Sequence, residues 1–219
     1  LAPANGAQAE GVFMIKLTSP SGPGGQPPLD SLAAAFEEAV RLHKAGDFAR
    51  ALAIYRRILG TYPRHADALQ MAGVCMAQLG DAAGGVPLIR RAIALRPNAP
   101  GYQLNLGNLL RMTGKPEDAA AAFRQAVALD PFYAEAHNNL GGVLRQLGRH
   151  EEAAKAFQQA VRLKPGSVDA LRNLAAVLLD LGRAAEAQPV LRALLERAPD
   201  DAPGRQMLEQ AQRGAGAAL

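Results

Sequence analysis

An all-α array of helical hairpins is the fold this sequence predicts, and three observations predict it. Alanine and leucine are abundant, aromatic residues make up 5% and tryptophan is absent, which suits closely packed small helices better than a sheet or an aromatic-lined pocket. The chain also repeats itself. Asn105, Leu106, Gly107, Leu110, Gly114, Ala119, Phe123, Ala126 and Pro131 recur 34 residues on as Asn139, Leu140, Gly141, Leu144, Gly148, Ala153, Phe157, Ala160 and Pro165. The same step carries proline through Pro63, Pro97, Pro131, Pro165 and Pro199, and glycine through Gly46, Gly80, Gly114, Gly148 and Gly182, so two independent helix breakers mark five units. An array of this kind needs no single central core, so a length of 219 residues sets no domain count by itself.

Taken in order, residues 1–30 are rich in Ala, Gly, Pro and Ser, and the run 18–28 carries four prolines and three glycines, so a disordered leader is expected. The short apolar patch 12–17 is a candidate docking strand, and Met14 is a candidate start of translation. Asp30 or Ser31 can cap a first helix whose Leu32, Phe36, Ala39, Val40 and His43 fall at three- and four-residue spacing before Gly46 ends it. Asp47 can cap a second helix with Ala51, Leu52, Tyr55, Ile58 and Leu59 on one face, stopped by Pro63. The same hairpin is expected in each of the units 32–65, 66–99, 100–133, 134–167 and 168–201.

Sterics account for the repeated residues. Small side chains at Ala39, Gly73, Gly107, Gly141 and Ala175, facing Ala51, Gly85, Ala119, Ala153 and Ala187, let the two helices of a hairpin approach. Tyr55, Ile89, Phe123, Phe157 and Leu191 are expected to fill the space toward the next hairpin. Gly84, Gly85 and Pro87 make the second unit the expected soft joint, since each helical glycine costs about 0.5–1 kcal/mol against alanine. Pro87 and its equivalent Pro189 are expected to be tolerated near the first turn of their helices. Polar Glu38, where later units have Ala72, Leu106, Leu140 and Leu174, marks an uncovered N-terminal face. After Pro199 the segment 202–219 reads as a capping helix over about 203–213, with Met207, Leu208 and Ala211 inward, Arg205, Gln206, Glu209, Gln210 and Gln212 wet, and a frayed tail 214–219.

A 34-residue period with Leu-Gly, Ala, an aromatic and Pro in this order, as in Leu106-Gly107, Ala119, Phe123 and Pro131, resembles the tetratricopeptide repeat family over residues 32–201. The resemblance implies a right-handed superhelical solenoid of five units whose first helices line a concave groove, with the residue before each Leu-Gly pair pointing into it. Here those residues are Asn105, Asn139 and Asn173, with Asn108 and Asn138 beside them, while Glu37 and Met71 break the series. The asparagine ladder is similar to that in the repeats of O-linked N-acetylglucosamine transferases, and carboxamides offer donor and acceptor together to the backbone of an extended peptide. Arg111 and Arg145 recur in register, and Arg172 falls near the same face, which points to an acidic or C-terminal-carboxylate partner. Leu104 stands where the carboxylate-clamp subfamily has a lysine, so that subfamily's chaperone-tail partner is not implied.

The inventory for chemistry is thin. His43, His65, His137 and His150 show no metal-ligand spacing, His137 reads as a packing residue, and Cys75 reads as a buried small hydrophobe without a nearby helical base. Glu117/Asp118 and Glu151/Glu152 belong in first helical turns, where acids meet the positive end of the dipole. The glycine-rich run 21–25 lacks the strand-to-helix setting of a phosphate loop. A net charge of +4, with basic and acidic residues interspersed, supplies no positive stripe for nucleic acid. No apolar run reaches the roughly 18 residues that span a bilayer, and no secretory signal is recognisable. The expectations are therefore a non-enzymatic, cofactor-free, cytoplasmic protein of bacterial composition that binds protein or extended peptide, and no nucleic acid or membrane. The alternative is the substrate-recruiting arm of a larger bacterial glycosyltransferase or sulfotransferase.

Overall fold

The computed structural model describes residues 29–216 and builds them into eleven helices with no strand among the described residues. They are α1 (Leu29–Lys44), α2 (Phe48–Thr61), α3 (Ala66–Gln78), α4 (Ala82–Leu95), α5 (Pro100–Met112), α6 (Pro116–Leu129), α7 (Ala134–Gln146), α8 (His150–Leu163), α9 (Val168–Asp180), α10 (Ala184–Arg197) and α11 (Ala202–Gly216). Each helix packs on its neighbours in sequence, and α3, α5, α7 and α9 also touch one another in succession. The result is a solenoid of helical hairpins with the first helices side by side on one face, and α11 closes it by packing on α10 and α9.

The period is set by the backbone. Gly46, Gly80, Gly114, Gly148 and Gly182 all sit in the left-handed region, at φ 79°, 94°, 71°, 73° and 71°. After each, an N–H reaches back to a carbonyl of the preceding helix: Asp47 to Leu42 (2.9 Å), Asp81 to Met76 (2.8 Å), Lys115 to Leu110 (2.9 Å), Arg149 to Leu144 (2.9 Å) and Arg183 to Leu178 (2.8 Å). This Schellman closure satisfies orphan carbonyls and turns the chain directly into the second helix. Each second helix ends at Tyr62, Arg96, Asp130, Lys164 or Ala198, the residue before a proline, because the proline ring disfavours helical backbone at the position preceding it.

Asp47 caps α2 as expected, accepting from the Arg50 N–H at 3.2 Å. The helix α1 starts earlier than expected, at Leu29, so Asp30 and Ser31 lie within its first turn and do not precede it. The remainder of the proposed leader, the 12–17 patch and Met14 lie outside the described residues. At the other end α11 runs from Ala202 to Gly216, longer than expected, and 217–219 lie outside the described residues. Its Ala211 is fully buried, with Met207 and Leu208 packed against the core.

Tyr55, Ile89, Phe123, Phe157 and Leu191 are all buried. A Cβ on Gly107 would stand 2.5 Å from the Phe123 ring, and one on Gly141 2.7 Å from the Phe157 ring. The two rings thus lie over the glycine of their own hairpin, where the sequence expectation had placed them toward the next. In the second hairpin the backbones themselves meet, since a Cβ on Gly73 would approach the Gly85 carbonyl to 2.8 Å and one on Gly85 would collide with the Gly73 carbonyl. Pro87 and Pro189 are each the sixth residue of their helices, beyond the first turn. They therefore remove a true intrahelical bond, and the carbonyls of Ala83 and Ala185 that lose it belong to exposed residues open to water.

Polar bolts join neighbouring hairpins. Asp67 accepts from the Tyr102 hydroxyl at 2.5 Å and from Arg96 Nη1 at 2.8 Å, linking α3, the end of α4 and α5.

Candidate functional site

The face built by α5, α7 and α9 carries most of the residues singled out from sequence. Asn139 Nδ2 donates to Asn108 Oδ1 at 3.2 Å, joining α7 to α5, and Asn173 Nδ2 donates to Asn138 Oδ1 at 3.1 Å, joining α9 to α7. These four carboxamides form a track across three helices, each spending one of its two polar groups. Among the described residues, the Oδ1 atoms of Asn139 and Asn173 and the Nδ2 atoms of Asn108 and Asn138 have no hydrogen-bond partner in the chain.

Asn105 differs from its repeats. It is 4% exposed, and its Oδ1 is buried without a partner. A buried unpaired carbonyl costs about 1–3 kcal/mol, so this atom has a standing demand for a donor.

The arginines separate into two kinds. Arg145 Nε donates to Asp180 Oδ2 at 2.5 Å, from α7 to the end of α9. Arg172 reaches Asp169 one turn earlier, at 2.8 Å, and Asp201 Oδ2 at 3.1 Å. Asp201 in turn caps α11 by accepting from the Gly204 N–H at 2.6 Å. Hydrogen bonding from Arg172 holds the Asp201 carboxyl below the usual carboxylate range, and the Arg172 guanidinium is pushed above its ordinary value by the same contact. Arg145 and Arg172 thus each pair with carboxylates of the chain that join neighbouring hairpins. Arg111, exposed in the last turn of α5, forms no ion pair among the described residues.

A hollow of about 560 Å³ opens where α7, the start of α8 and α9 meet, lined by Gly142, Arg145, Gln146, His150 and Asp180. Of these only Arg145 was singled out from sequence as a binding residue. The signal that could have found Asp180 is its distance from Arg145, 35 residues, one period plus one, and the Asn138 to Asn173 pair shows the same step.

Elsewhere the polar groups serve the fold. His65 Nδ1 caps α3 by accepting from the Ala68 N–H at 3.1 Å, a role the sequence reading missed. His137, expected to pack, is half-buried and donates from Nε2 to the Pro131 carbonyl at 3.0 Å. Cys75 is buried as expected, but it has a base beside it after all: His43 Nδ1 lies 3.2 Å from its Sγ. Burial pushes the Cys75 thiol up to about 12 and lowers His43, so the pair is neutral and carries no thiolate. Among the described residues no group of three or more His, Cys, Asp or Glu is placed to hold a metal ion. No described helix is long and apolar enough to cross a membrane.

A tetratricopeptide repeat family model matches residues 36–100 and again 104–168, and a second tetratricopeptide repeat model matches 144–211. The chain belongs to the tetratricopeptide repeat family. No curated relative matches it by sequence. Among solved structures it is similar to MamA 41-end from Desulfovibrio magneticus RS-1, with 21% identity and a TM-score of 0.70 over 79% of this chain and 98% of that one. It is also similar to YrrB, described as a TPR protein with an unusual peptide-binding site, at 22% identity and a TM-score of 0.66, over 78% and 89% of the two chains. TTC0263, a thermophilic TPR protein of Thermus thermophilus, shares 24% identity at a TM-score of 0.62 over 83% and 98%. At these identities the likeness shows the tetratricopeptide fold.

Proposed function

We propose that this tetratricopeptide protein is a non-catalytic interaction scaffold that binds an extended peptide segment in the groove formed by α5, α7 and α9. The observation that carries the reading is the pair of interhelical amide bonds, Asn139 to Asn108 and Asn173 to Asn138. They hold four carboxamides in a row, and the groups left over alternate between acceptor and donor. An extended peptide offers the complementary alternation, with an N–H and a C=O in every residue at a rise of about 3.3 Å. Asn105, whose Oδ1 is buried, lies beneath this row and takes no direct part in it. That YrrB is described as having a peptide-binding site supports the use of this fold for peptides.

Acidic preference is confined to the neighbourhood of Arg111, because Arg145 and Arg172 are already paired with Asp180, Asp169 and Asp201. The scaffold works without cofactor, nucleic acid or membrane in this reading, and a reduced, buried Cys75 is compatible with a cytoplasmic setting. The alternative, a substrate-recruiting arm of a larger glycosyltransferase or sulfotransferase, uses the same groove and rests on the likeness of the asparagine ladder.

A parallel pull-down with the wild type and an Asn105→Ala, Asn139→Ala, Asn173→Ala variant of unchanged helicity and melting tests the groove. Partners captured by the wild type and lost by the variant are the expected result. Equal capture by both would move the working surface to the second helices or the edges.

A further inference from the structure

One feature of the hollow between α7, α8 and α9 has no explanation in the packing. Gly142 stands in the middle of α7, and a Cβ there would meet nothing within 4 Å. At Gly107 and Gly141 the lack of a side chain admits an aromatic ring, but at Gly142 the chain places nothing in the space. The residues one period away are Asn108 and Ala176. A helical glycine costs about 1 kcal/mol against alanine, and what this one achieves is an open hollow.

The walls have unspent polar groups. Arg145 uses Nε on Asp180 Oδ2, leaving its Nη groups and Asp180 Oδ1 without partners among the described residues. His150 Nδ1 is buried with no hydrogen bond, and at 3.7 Å from Asp180 Oδ2 it is too distant to form one. The carboxamide of Gln146, on the same rim, makes no hydrogen bond among the described residues.

The charges of Arg145 and Asp180 offset each other, so a charged guest that gains from one is opposed by the other. A neutral guest bearing both donor and acceptor meets no such opposition. We propose that the hollow is a side-chain pocket for an asparagine or glutamine of the bound peptide. The guest carbonyl accepts from an Arg145 Nη, and an amide hydrogen of the guest goes to Asp180 Oδ1. This inference rests on the groove reading to bring a peptide past α7, but the side-chain preference is measured separately.

The test is selection of dodecapeptides from a random phage-displayed library on the wild-type protein, followed by affinity measurement of each synthetic clone and of its Ala, Glu, Lys and Leu replacements at the shared position. The expected result is one fixed position held by Asn or Gln, whose replacement weakens binding about tenfold or more. Gly142→Leu, which fills the hollow, and Asp180→Asn, which keeps its shape, should each shrink that preference. Absence of any enriched clone, clones with no Asn or Gln position, or a preference that survives both variants would overturn the pocket. An Asn139→Ala, Asn173→Ala variant separates the two readings. If it binds all the peptides as tightly as the wild type while Gly142→Leu still loses the preference, the pocket stands and the amide track falls.

Discussion

Arg172 on α9 and Asp201 at the head of α11 are 29 residues apart in sequence and joined by a hydrogen bond from Nε to Oδ2 at 3.1 Å. The same carboxylate caps α11 through the Gly204 N–H at 2.6 Å and is only 7% exposed. One residue therefore both starts the closing helix and locks it onto the last hairpin.

Asp201→Ala should cost about 1–3 kcal/mol, a lost cap together with a guanidinium left unpaired, and should expose α11 to proteolysis before the rest of the array. The pH dependence follows from the sign of the shift. The folded carboxyl titrates below its ordinary value, so its contribution is complete above the unfolded value of about 3.9 and is lost as pH falls through the folded one. Acid titration of wild type and Asp201→Asn should show the wild type losing this advantage only below about pH 4. Identical acid profiles would contradict the assignment.

Two glycines should respond to alanine in opposite ways. Gly85→Ala drives a Cβ into the Gly73 carbonyl and should destabilise by about 1–3 kcal/mol despite its better helix propensity. Gly142→Ala meets open space and should stabilise by up to about 1 kcal/mol. Denaturant melts of the two single variants check both. A stabilising Gly85→Ala would leave the pair Gly84-Gly85 as a helix weakness alone, as the sequence suggests.

Much of the fold was legible because it is set by local backbone chemistry. Gly46 and its equivalents need a left-handed turn, Pro63 and its equivalents stop helices, and both signals are carried by single residues in the text of the sequence. The site was less legible because its partners are nonlocal. Asn139 finds Asn108 at 31 residues and Asn173 finds Asn138 at 35, one period shifted by −3 or +1 along a helix. In strict register Asn105, Asn139 and Asn173 are equals. In the structure Asn105 is buried, while the other two lean on neighbours that register alone does not pair with them. A similar offset, one period less two, hid His43 from Cys75, 32 residues away.

Cys75 should be inert in the folded protein. It is buried beside a neutral His43 with its thiol pushed up to about 12, so alkylation by iodoacetamide at pH 8 should proceed only as fast as the first hairpins open. Labelling at the rate of a free thiol under native conditions would contradict this.

Tyr55 is fully buried and its hydroxyl has no partner. Tyr55→Phe should therefore be neutral or stabilise by about 1 kcal/mol, since it removes a desolvated group that gains no hydrogen bond. A loss of more than about 1 kcal/mol in thermal or urea melts would point instead to a buried water bridging that hydroxyl.

The central claim is that peptides lie along the carboxamide track, and backbone-amide NMR of the labelled chain, titrated with a peptide selected from a random library, tests it most directly. The account predicts that the perturbed resonances cluster on α5, α7 and α9, with the side-chain amides of Asn108, Asn138, Asn139 and Asn173 among the largest shifts. Perturbations gathered on α6, α8 and α10, with those side-chain amides unmoved, would contradict it.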